Sequence, residues 1–290
     1  MEFPEEWMAR ISGSIGFIGA GNMAEALVGA LVSSGKVEPG KVLVADVDPA
    51  RIRHMGERYG VGGAGAAEVF DRSDVVVLAV KPKDVPGVLA GLAGRPAFPP
   101  ARKKLVISIA AGVRLADMEK ILYAGLPEGK QAQVPVIRVM PNTPALVGAG
   151  MAGISPNRHA TAEDTAMARE ILAAAGQVCD FEEDMMDAVT AVSGSGPAYV
   201  FYLAEAMTQG AEGVGFSPED ARKLVLATVL GAARLMEARD EPPAELRRKV
   251  TSPGGTTEAA VKVLDQVGVK DVFARAIVAA RDRSREMAGK

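Results

Sequence analysis

The chain has 290 residues, 48% of them hydrophobic, so it is long enough for one large or two medium domains with a sizeable core. A net charge of −3 excludes the basic surface that nucleic-acid binding requires. A single cysteine, Cys179, excludes an intrachain disulfide, and neither of the two histidines has a partner at metal-ligand spacing, so we expect no bound metal.

The N-terminus and the apolar stretches predict a cytoplasmic protein without a membrane partner. Residues 1–7 are acidic and lack the basic start and apolar segment of a signal peptide. The apolar stretch at residues 224–230 is interrupted by Thr228 and is too short to span a bilayer. We expect Cys179 to behave as a small buried hydrophobic residue.

Short apolar runs alternate with helical segments in the first half. The first strand runs into a helix at residues 25–32, and strands are predicted at residues 15–18, 42–45, 75–80, 105–109 and 136–140. The unbroken apolar run at residues 75–80 is typical of a parallel strand that is buried on both faces. The alternation predicts an α/β fold with a doubly wound parallel sheet of the Rossmann type.

Strand signals end near residue 181. Helices are predicted after that point, at residues 184–192, 198–213, 218–239, 257–267 and 272–287. The helix at residues 198–213 is apolar nearly all round and must be buried on several sides, which in so small a domain indicates a second subunit. We therefore predict an α/β domain at residues 1–180 and an all-helical dimerisation domain at residues 181–290.

The first predicted strand ends in a G-x-G-x-x-A motif that runs from Gly19 to Ala24. Gly19 permits a tight turn, Gly21 lets a pyrophosphate approach the backbone, and Ala24 lets the helix pack closely on the sheet. The motif follows a strand and opens a helix, as dinucleotide binding requires. We predict that NADH or NADPH binds here, with contacts from Ile18, Gly19, Ala20, Gly21, Asn22 and Met23.

The ends of later strands extend this predicted cofactor site. Asp46 ends the second strand, where an acid accepts from the adenosine ribose hydroxyls and disfavours a 2′-phosphate, so NADH is favoured over NADPH. Arg51 follows closely and remains able to swing onto a phosphate, whereas we interpret Asp48 as a turn residue. Further contacts are predicted from Ala79, Val80, Lys81, Pro82 and Ala111, although a solvated role for Lys81 is equally compatible with its position.

A second site is indicated by residues 250–257, where a proline, two glycines and four hydroxyl residues precede an amphipathic helix. Taken alone, this segment is more simply a helix N-cap. A Gly-rich turn at a helix N-terminus is also suited to bind an anion, because unpaired N–H groups and the helix dipole both favour negative charge there.

Five segments resemble the pyrroline-5-carboxylate reductase family in the family's order: residues 15–24, 79–82, 140–144, 191–199 and 250–257. The resemblance implies NAD(P)H-dependent reduction of the cyclic imine 1-pyrroline-5-carboxylate to L-proline, the last step of proline biosynthesis. It implies a site between the nucleotide domain of one subunit and the helical domain of a dimer partner, with a higher oligomer of dimers left open. It also implies substrate binding by Ser252, Gly254, Gly255, Thr256 and Thr257.

Thr257 matches the family threonine whose hydroxyl faces the ring nitrogen of the imine, and it is the predicted catalytic residue. A threonine hydroxyl is a very poor acid and falls outside the usual set of general acids. We therefore assign Thr257 mainly to hydrogen bonding and orientation, which accelerate a reaction when the geometry is fixed. Proton delivery is its second role.

Some features depart from the family or leave alternatives open. Ala66 and Ala67 stand where many members carry an asparagine on the adenosine side of the cofactor. A dehydrogenase of the β-hydroxyacid or 6-phosphogluconate type would need a catalytic lysine on the helix at residues 198–213, which has none. A redox-sensing nucleotide-binding protein would not need residues 252–257. Residues 193–197 are interpreted as a helix break in preference to a pocket lining.

Overall fold

The computed structural model describes residue 11, residues 13–127 and residues 129–288. The acidic start at residues 1–7 lies outside the described residues. The described chain forms two compact units. The first contains the residues up to Gly194 together with the segment from Arg281 onwards, and the second contains Ser195–Ala280. The predicted domain boundary at residue 180 stays a prediction.

The first unit is built on one eight-stranded sheet in the order β3-β2-β1-β4-β5-β6-β7-β8. The strands are β1 Ile15–Ile18, β2 Val42–Ala45, β3 Gly62–Gly63, β4 Val75–Leu78, β5 Leu105–Ser108, β6 Val136–Met140, β7 Gly150–Pro156 and β8 Gly176–Asp180. All neighbours are parallel except β6 and β7. The chain leaves β1 toward β3 and then returns to β4 beside β1, so the predicted doubly wound sheet is confirmed.

Within the described residues, the α-helices that lie wholly in the first unit are α1 Asn22–Ser33, α2 Pro49–Tyr59, α3 Ala66–Arg72, α4 Val85–Ala93, α5 Leu115–Leu122, α6 Ala162–Ala173 and α7 Met186–Val189. Alternate strand residues point to opposite faces. Val75 and Val77 of β4 join a buried cluster with α1, α2 and α6. Val76 and Leu78 join a second cluster with α3, α4 and α5. Both faces of β4 are therefore buried, as its apolar run predicts.

Three strands were not predicted, namely β3, β7 and β8. β7 reads Gly-Met-Ala-Gly-Ile-Ser-Pro, which is poor in strand-forming residues, and β3 consists of two glycines. Cys179 lies in β8, the strand at one edge of the sheet, and it is exposed, so the expectation of a buried cysteine is wrong. Val178 packs against the first buried cluster, so the next residue, Cys179, points to the opposite face of the sheet, where the second cluster includes no residue of β8.

The second unit is helical, as predicted. Its helices are α8 Gly196–Gly213, α9 Pro218–Ala238, α10 Pro243–Lys249 and α11 Thr256–Gln266, followed by α12 Val269–Ala288, which begins in this unit and ends in the first. The short, charged α10 was not predicted. The predicted helix at residues 184–192 is interrupted, because a π-helical turn at Thr190–Gly194 follows α7.

Candidate functional site

The turn after β1 is shaped by contact with the end of β4. Gly19 has a φ of +104°, and a Cβ built on it would lie 2.5 Å from the carbonyl carbon and oxygen of Ala79. The strand ends are joined by hydrogen bonds from Gly19 N to Ala45 O (2.7 Å) and from Ala79 N to Ile18 O (2.8 Å). Only glycine combines this left-handed backbone with so close an approach of another chain segment.

Gly21 is not constrained by a neighbouring chain segment in this way. It is extended, with a φ of −73° and a ψ of −178°, and it precedes α1 without a side-chain capping bond. A Cβ built on it would meet nothing within 4 Å, and Gly21 and Asn22 are exposed. Nothing within the described chain therefore explains a glycine here. The open space before a helix N-terminus fits the phosphates of a dinucleotide, which approach the backbone at this position.

Asp46 and Arg51 hold the intervening residue, Ala20. Asp46 Oδ2 accepts a hydrogen bond from Ala20 N at 2.7 Å, and Asp46 Oδ1 accepts from Asp48 N at 2.9 Å. Arg51 Nε donates to Ala20 O at 2.7 Å, and its Nη2 donates to Glu25 Oε2 at 2.7 Å. Asp48 caps α2 by accepting from Ala50 N, which agrees with its interpretation as a turn residue.

The remaining predicted cofactor residues follow β4 and β5, which are parallel neighbours. Ala79 and Val80 are half-buried, whereas Lys81 and Pro82 are exposed at the start of a 3₁₀ turn. Ala111 is half-buried and follows the buried Ala110. The structure thus places all of them at the carboxyl edge of the sheet, where ligands bind in this fold, and Ala79 and Val80 adjoin the glycine turn.

Asn142 is a polar residue to which the sequence assigned no role. It is 9% exposed and follows β6. Its Nδ2 donates to Ser193 O at 3.2 Å and lies 3.3 Å from Ser193 Oγ, and its Oδ1 accepts from Met151 N at 2.8 Å. Asn142 therefore ties the π-helical turn to the carboxyl end of β6. Its position between two prolines in Met140–Pro144 was the available signal.

In the second unit, the segment from Ser252 forms a tight turn before α11. Gly254 has a φ of +70°, and its N–H donates to Glu258 Oε2 at 2.7 Å. Gly255 N donates to Ser252 O at 3.0 Å. The N–H groups of the two glycines predicted to bind substrate are thus engaged within the segment.

Thr256 and Thr257 at the start of α11 are different. Within the described part of the chain, no acceptor pairs with their N–H groups and no partner pairs with their hydroxyls. Three other threonines of this unit donate their hydroxyls to the carbonyl four residues earlier: Thr208, Thr228 and Thr251. The two adjacent N–H groups and hydroxyls at the helix start can therefore bind an anionic ligand with a polar ring atom.

The described residues contain neither a metal-binding cluster nor a membrane-spanning helix. Among residues 11, 13–127 and 129–288, no group of three or more histidine, cysteine, aspartate or glutamate side chains is arranged to hold a metal ion. No helix within the described ranges has the length and hydropathy needed to cross a membrane.

Two different family models match the N-terminal and C-terminal parts of the chain. Residues 183–287 match the family model for pyrroline-5-carboxylate reductase dimerisation, and residues 14–112 match the model for NADP oxidoreductase, coenzyme F420-dependent. A pyrroline-5-carboxylate reductase from Synechocystis is 42% identical over 277 residues, which cover 95% of this chain and 98% of that protein. This chain belongs to the pyrroline-5-carboxylate reductase family. A pyrroline-5-carboxylate reductase from Escherichia coli is 37% identical over 274 residues, which cover 94% of this chain and 97% of that protein.

Solved structures of family members have the same fold. The reductase from Coxiella burnetii superposes with a TM-score of 0.87 at 37% identity and covers 96% of this chain and 99% of its own. A Plasmodium falciparum pyrroline carboxylate reductase with NADP bound has a TM-score of 0.83 at 26% identity, and the match covers 97% of this chain and 100% of that protein's chain. Membership of this family removes the β-hydroxyacid dehydrogenase alternative. The family is one of oxidoreductases that use a nicotinamide cofactor.

Proposed function

We propose that this protein reduces 1-pyrroline-5-carboxylate to L-proline with NADH or NADPH, the last step of proline biosynthesis. The proposal rests on two features that occur together in this member of the family. The glycine turn is open at Gly21, and Thr256 and Thr257 have N–H and hydroxyl groups without a partner in the described residues. The first is suited to a dinucleotide and the second to a small carboxylate-bearing imine.

When bound, the dihydronicotinamide supplies a hydride to the carbon of the C=N bond, and the ring nitrogen takes up the balancing proton from water, directly or through the Thr257 hydroxyl, to give the amine. The N–H groups at the start of α11 and the helix dipole favour the substrate carboxylate. The Thr257 hydroxyl donates to or accepts from the ring nitrogen and so fixes the imine carbon in position. Orientation is its main role because the hydroxyl is a poor acid, and proton delivery is its second role.

The full set of proposed ligands keeps the predicted residues. The cofactor contacts are Ile18, Gly19, Ala20, Gly21, Asn22, Met23, Asp46, Ala79, Val80, Lys81, Pro82 and Ala111. The substrate contacts are Ser252, Gly254, Gly255, Thr256 and Thr257. The N–H groups of Gly254 and Gly255 can bind substrate only if they give up their bonds to Glu258 and to Ser252 O. We therefore assign the substrate carboxylate first to the N–H groups of Thr256 and Thr257.

NADH is the preferred cofactor in this proposal. Asp46 lies at the end of β2, where its carboxylate faces the ribose side of the glycine turn and repels a 2′-phosphate. From the sequence alone, Arg51 could reach a phosphate. In the structure, its guanidinium donates hydrogen bonds to Ala20 O and to Glu25. The helical unit forms the contact with a second copy of the chain, and a higher oligomer of dimers is compatible with it. The cytoplasmic location stays a prediction.

Steady-state assays with the purified protein test this function. Loss of reduced-nicotinamide absorbance on addition of 1-pyrroline-5-carboxylate, with formation of proline, is the expected result, and the rate at matched concentrations should be higher with NADH than with NADPH. Binding of the dinucleotide without turnover would favour the redox-sensor alternative. A higher rate with NADPH would leave the reaction intact and refute the role of Asp46.

A further inference from the structure

Both polar groups of Ala20 are held by charged side chains. Its N–H donates to Asp46 Oδ2 at 2.7 Å, and its carbonyl oxygen accepts from Arg51 Nε at 2.7 Å. Ala20 itself is fully buried. The turn that connects Gly19 and Gly21 is therefore attached on both sides to the β2–α2 segment, the segment that faces the adenosine ribose in this fold.

Arg51 is in turn held by Glu25 of α1. Arg51 Nη2 lies 2.7 Å from Glu25 Oε2, and the two side chains are only 30% and 16% exposed. Glu25 Oε1 also contacts His54 Nε2 at 2.8 Å and Tyr59 OH at 3.3 Å. The hydrogen bond with His54, followed by that with Arg51 and the charges of both, lowers the pKa of Glu25 from 4.5 to about 2, against the opposing effect of burial. Glu25 is thus ionised at neutral pH.

These contacts decide what Arg51 can do. Its guanidinium is oriented by two hydrogen bonds in different directions, and its charge is compensated by Glu25. A free arginine at this place would bind a 2′-phosphate through its planar fork of donors. With Glu25 in place, the charge of Arg51 is compensated and its donors are occupied, so the guanidinium is not available to a phosphate dianion.

We propose that Glu25 is a specificity-determining positioning residue, which favours NADH over NADPH by holding Arg51 on the Ala20 carbonyl. The inference rests on the proposed use of a nicotinamide cofactor. Glu25 acts through Arg51 and needs no contact with the cofactor itself. Loss of the Glu25 carboxylate releases Arg51, whose guanidinium then becomes available to the 2′-phosphate of NADPH.

Dissociation constants of the full-length protein for NADH and NADPH, measured by nicotinamide fluorescence, test the inference without turnover. Glu25→Gln should lower the ratio of the NADPH constant to the NADH constant by about five- to tenfold, mainly through tighter NADPH binding, as expected when the freed Arg51 guanidinium gains a charge-assisted contact with the 2′-phosphate. The control is Asp180→Asn, which breaks an arginine–carboxylate pair with Arg169 at the opposite edge of the sheet and should leave the ratio unchanged.

Arginine variants show whether Glu25 acts through Arg51. In an Arg51→Ala background, Glu25→Gln should no longer change the ratio, because the side chain through which Glu25 acts is missing. The two single variants and the double variant together form a double-mutant cycle that measures this coupling. Arg51→Lys keeps the charge but cannot contact both Ala20 O and Glu25, so it should lower the ratio as Glu25→Gln does. It also provides the test if Glu25→Gln does not fold.

The outcomes separate this inference from the proposed function. An unchanged ratio in folded Glu25→Gln or Arg51→Lys, or a change that persists without Arg51, refutes the role of Glu25 while cofactor binding stands. Failure of the unmodified protein to bind either dinucleotide refutes the proposed function and, with it, the inference.

Discussion

Gly19 and Gly21 share one turn but are required by different partners. Gly19 is constrained by the fold, because its φ of +104° and the Ala79 backbone at 2.5 Å from a built Cβ leave no room for a side chain. Gly21 has no such neighbour within 4 Å, and we propose that the bound cofactor constrains it instead. A substitution at each position therefore separates stability from binding.

We expect Gly21→Ala to raise the cofactor dissociation constant about 10- to 100-fold, the effect of about 1–3 kcal/mol of steric conflict with the pyrophosphate. Its free energy of unfolding should change little. Gly19→Ala should instead destabilise the protein by about 3 kcal/mol, from backbone strain and the clash with β4. Urea unfolding and fluorescence titration of both variants check this, and a destabilised Gly21→Ala would show that the open space is not available in solution.

Thr257 carries the prediction for the reaction itself. Thr257→Ala removes a hydroxyl that has no partner in the described chain, so the fold loses no hydrogen bond. We expect kcat to fall about 100-fold, as for other groups that position a reacting atom, with the cofactor dissociation constant nearly unchanged. Thr228→Ala, whose hydroxyl bonds to Leu224 O within α9, is the control and should retain full turnover. Wild-type kcat in Thr257→Ala would remove Thr257 from the mechanism.

At the scale of elements, the sequence was informative where a local pattern determines the structure. The apolar run of β4 and the glycine motif before α1 predicted a buried parallel strand and a dinucleotide turn. The run was predicted to continue to residue 80, but β4 ends at Leu78 and the chain turns into a 3₁₀ turn at Pro82–Asp84. β7 was missed because it forms by pairing with β6 and β8 despite its glycines.

The contacts that organise the candidate site could not be predicted from the sequence, because they also join residues that are far apart in the chain. Glu25 and Arg51 are 26 residues apart, and Asn142 and Ser193 are 51 apart. No periodicity or motif spacing links such pairs, since their proximity depends on how α1, α2 and the sheet pack. The turn at residues 252–257 could be predicted as a helix start. Which of its N–H groups remain unpaired depends on the Glu258 side chain.

Arg138 shows how one long-range contact joins several elements. It lies on β6 with a side chain only 4% exposed, and its Nη1 is 2.7 Å from Glu183 Oε1. Its Nη2 is 3.8 Å from Asp187 Oδ1, an oxygen that also accepts from Ser284 Oγ of α12 at 2.7 Å. Glu183 further accepts from Leu115 N at the start of α5. One guanidinium thus connects β6 with α7 and, through shared acceptors, with α5 and α12.

Arg138→Met should destabilise the first unit by about 3–5 kcal/mol, because it leaves two carboxylates without their cation while it preserves side-chain volume. Ser284→Ala removes a single hydrogen bond and should cost about 1 kcal/mol. Urea unfolding followed by circular dichroism measures both. A loss below 1 kcal/mol in Arg138→Met would mean that solvent or other groups satisfy Glu183 and Asp187.

For the whole molecule, the decisive feature is the apolar surface of the helical unit. α8, α10 and α11 contribute no buried residue, and α9 contributes only Ala221 and Val225. Large apolar side chains are exposed instead, with Phe201 at 66% and Leu226 at 64%. So many large exposed apolar side chains in one unit indicate a protein–protein interface. The dimerisation family model covers residues 183–287, which include these side chains.

The combined variant Phe201→Glu and Leu226→Glu should therefore convert the protein to a monomer, since two buried charges in an apolar interface cost several kcal/mol. Analytical ultracentrifugation measures the change. The matched control is Val147→Glu, which changes an apolar side chain of the first unit that is even more exposed, at 79%, and this variant should remain oligomeric. The monomer should bind cofactor with an unchanged dissociation constant, because the glycine turn belongs to the first unit. It should have little turnover, because the proposed substrate site uses the helical unit of the partner. A fully active monomer would show that one chain contains the complete site, and a persistent dimer would place the interface on another surface.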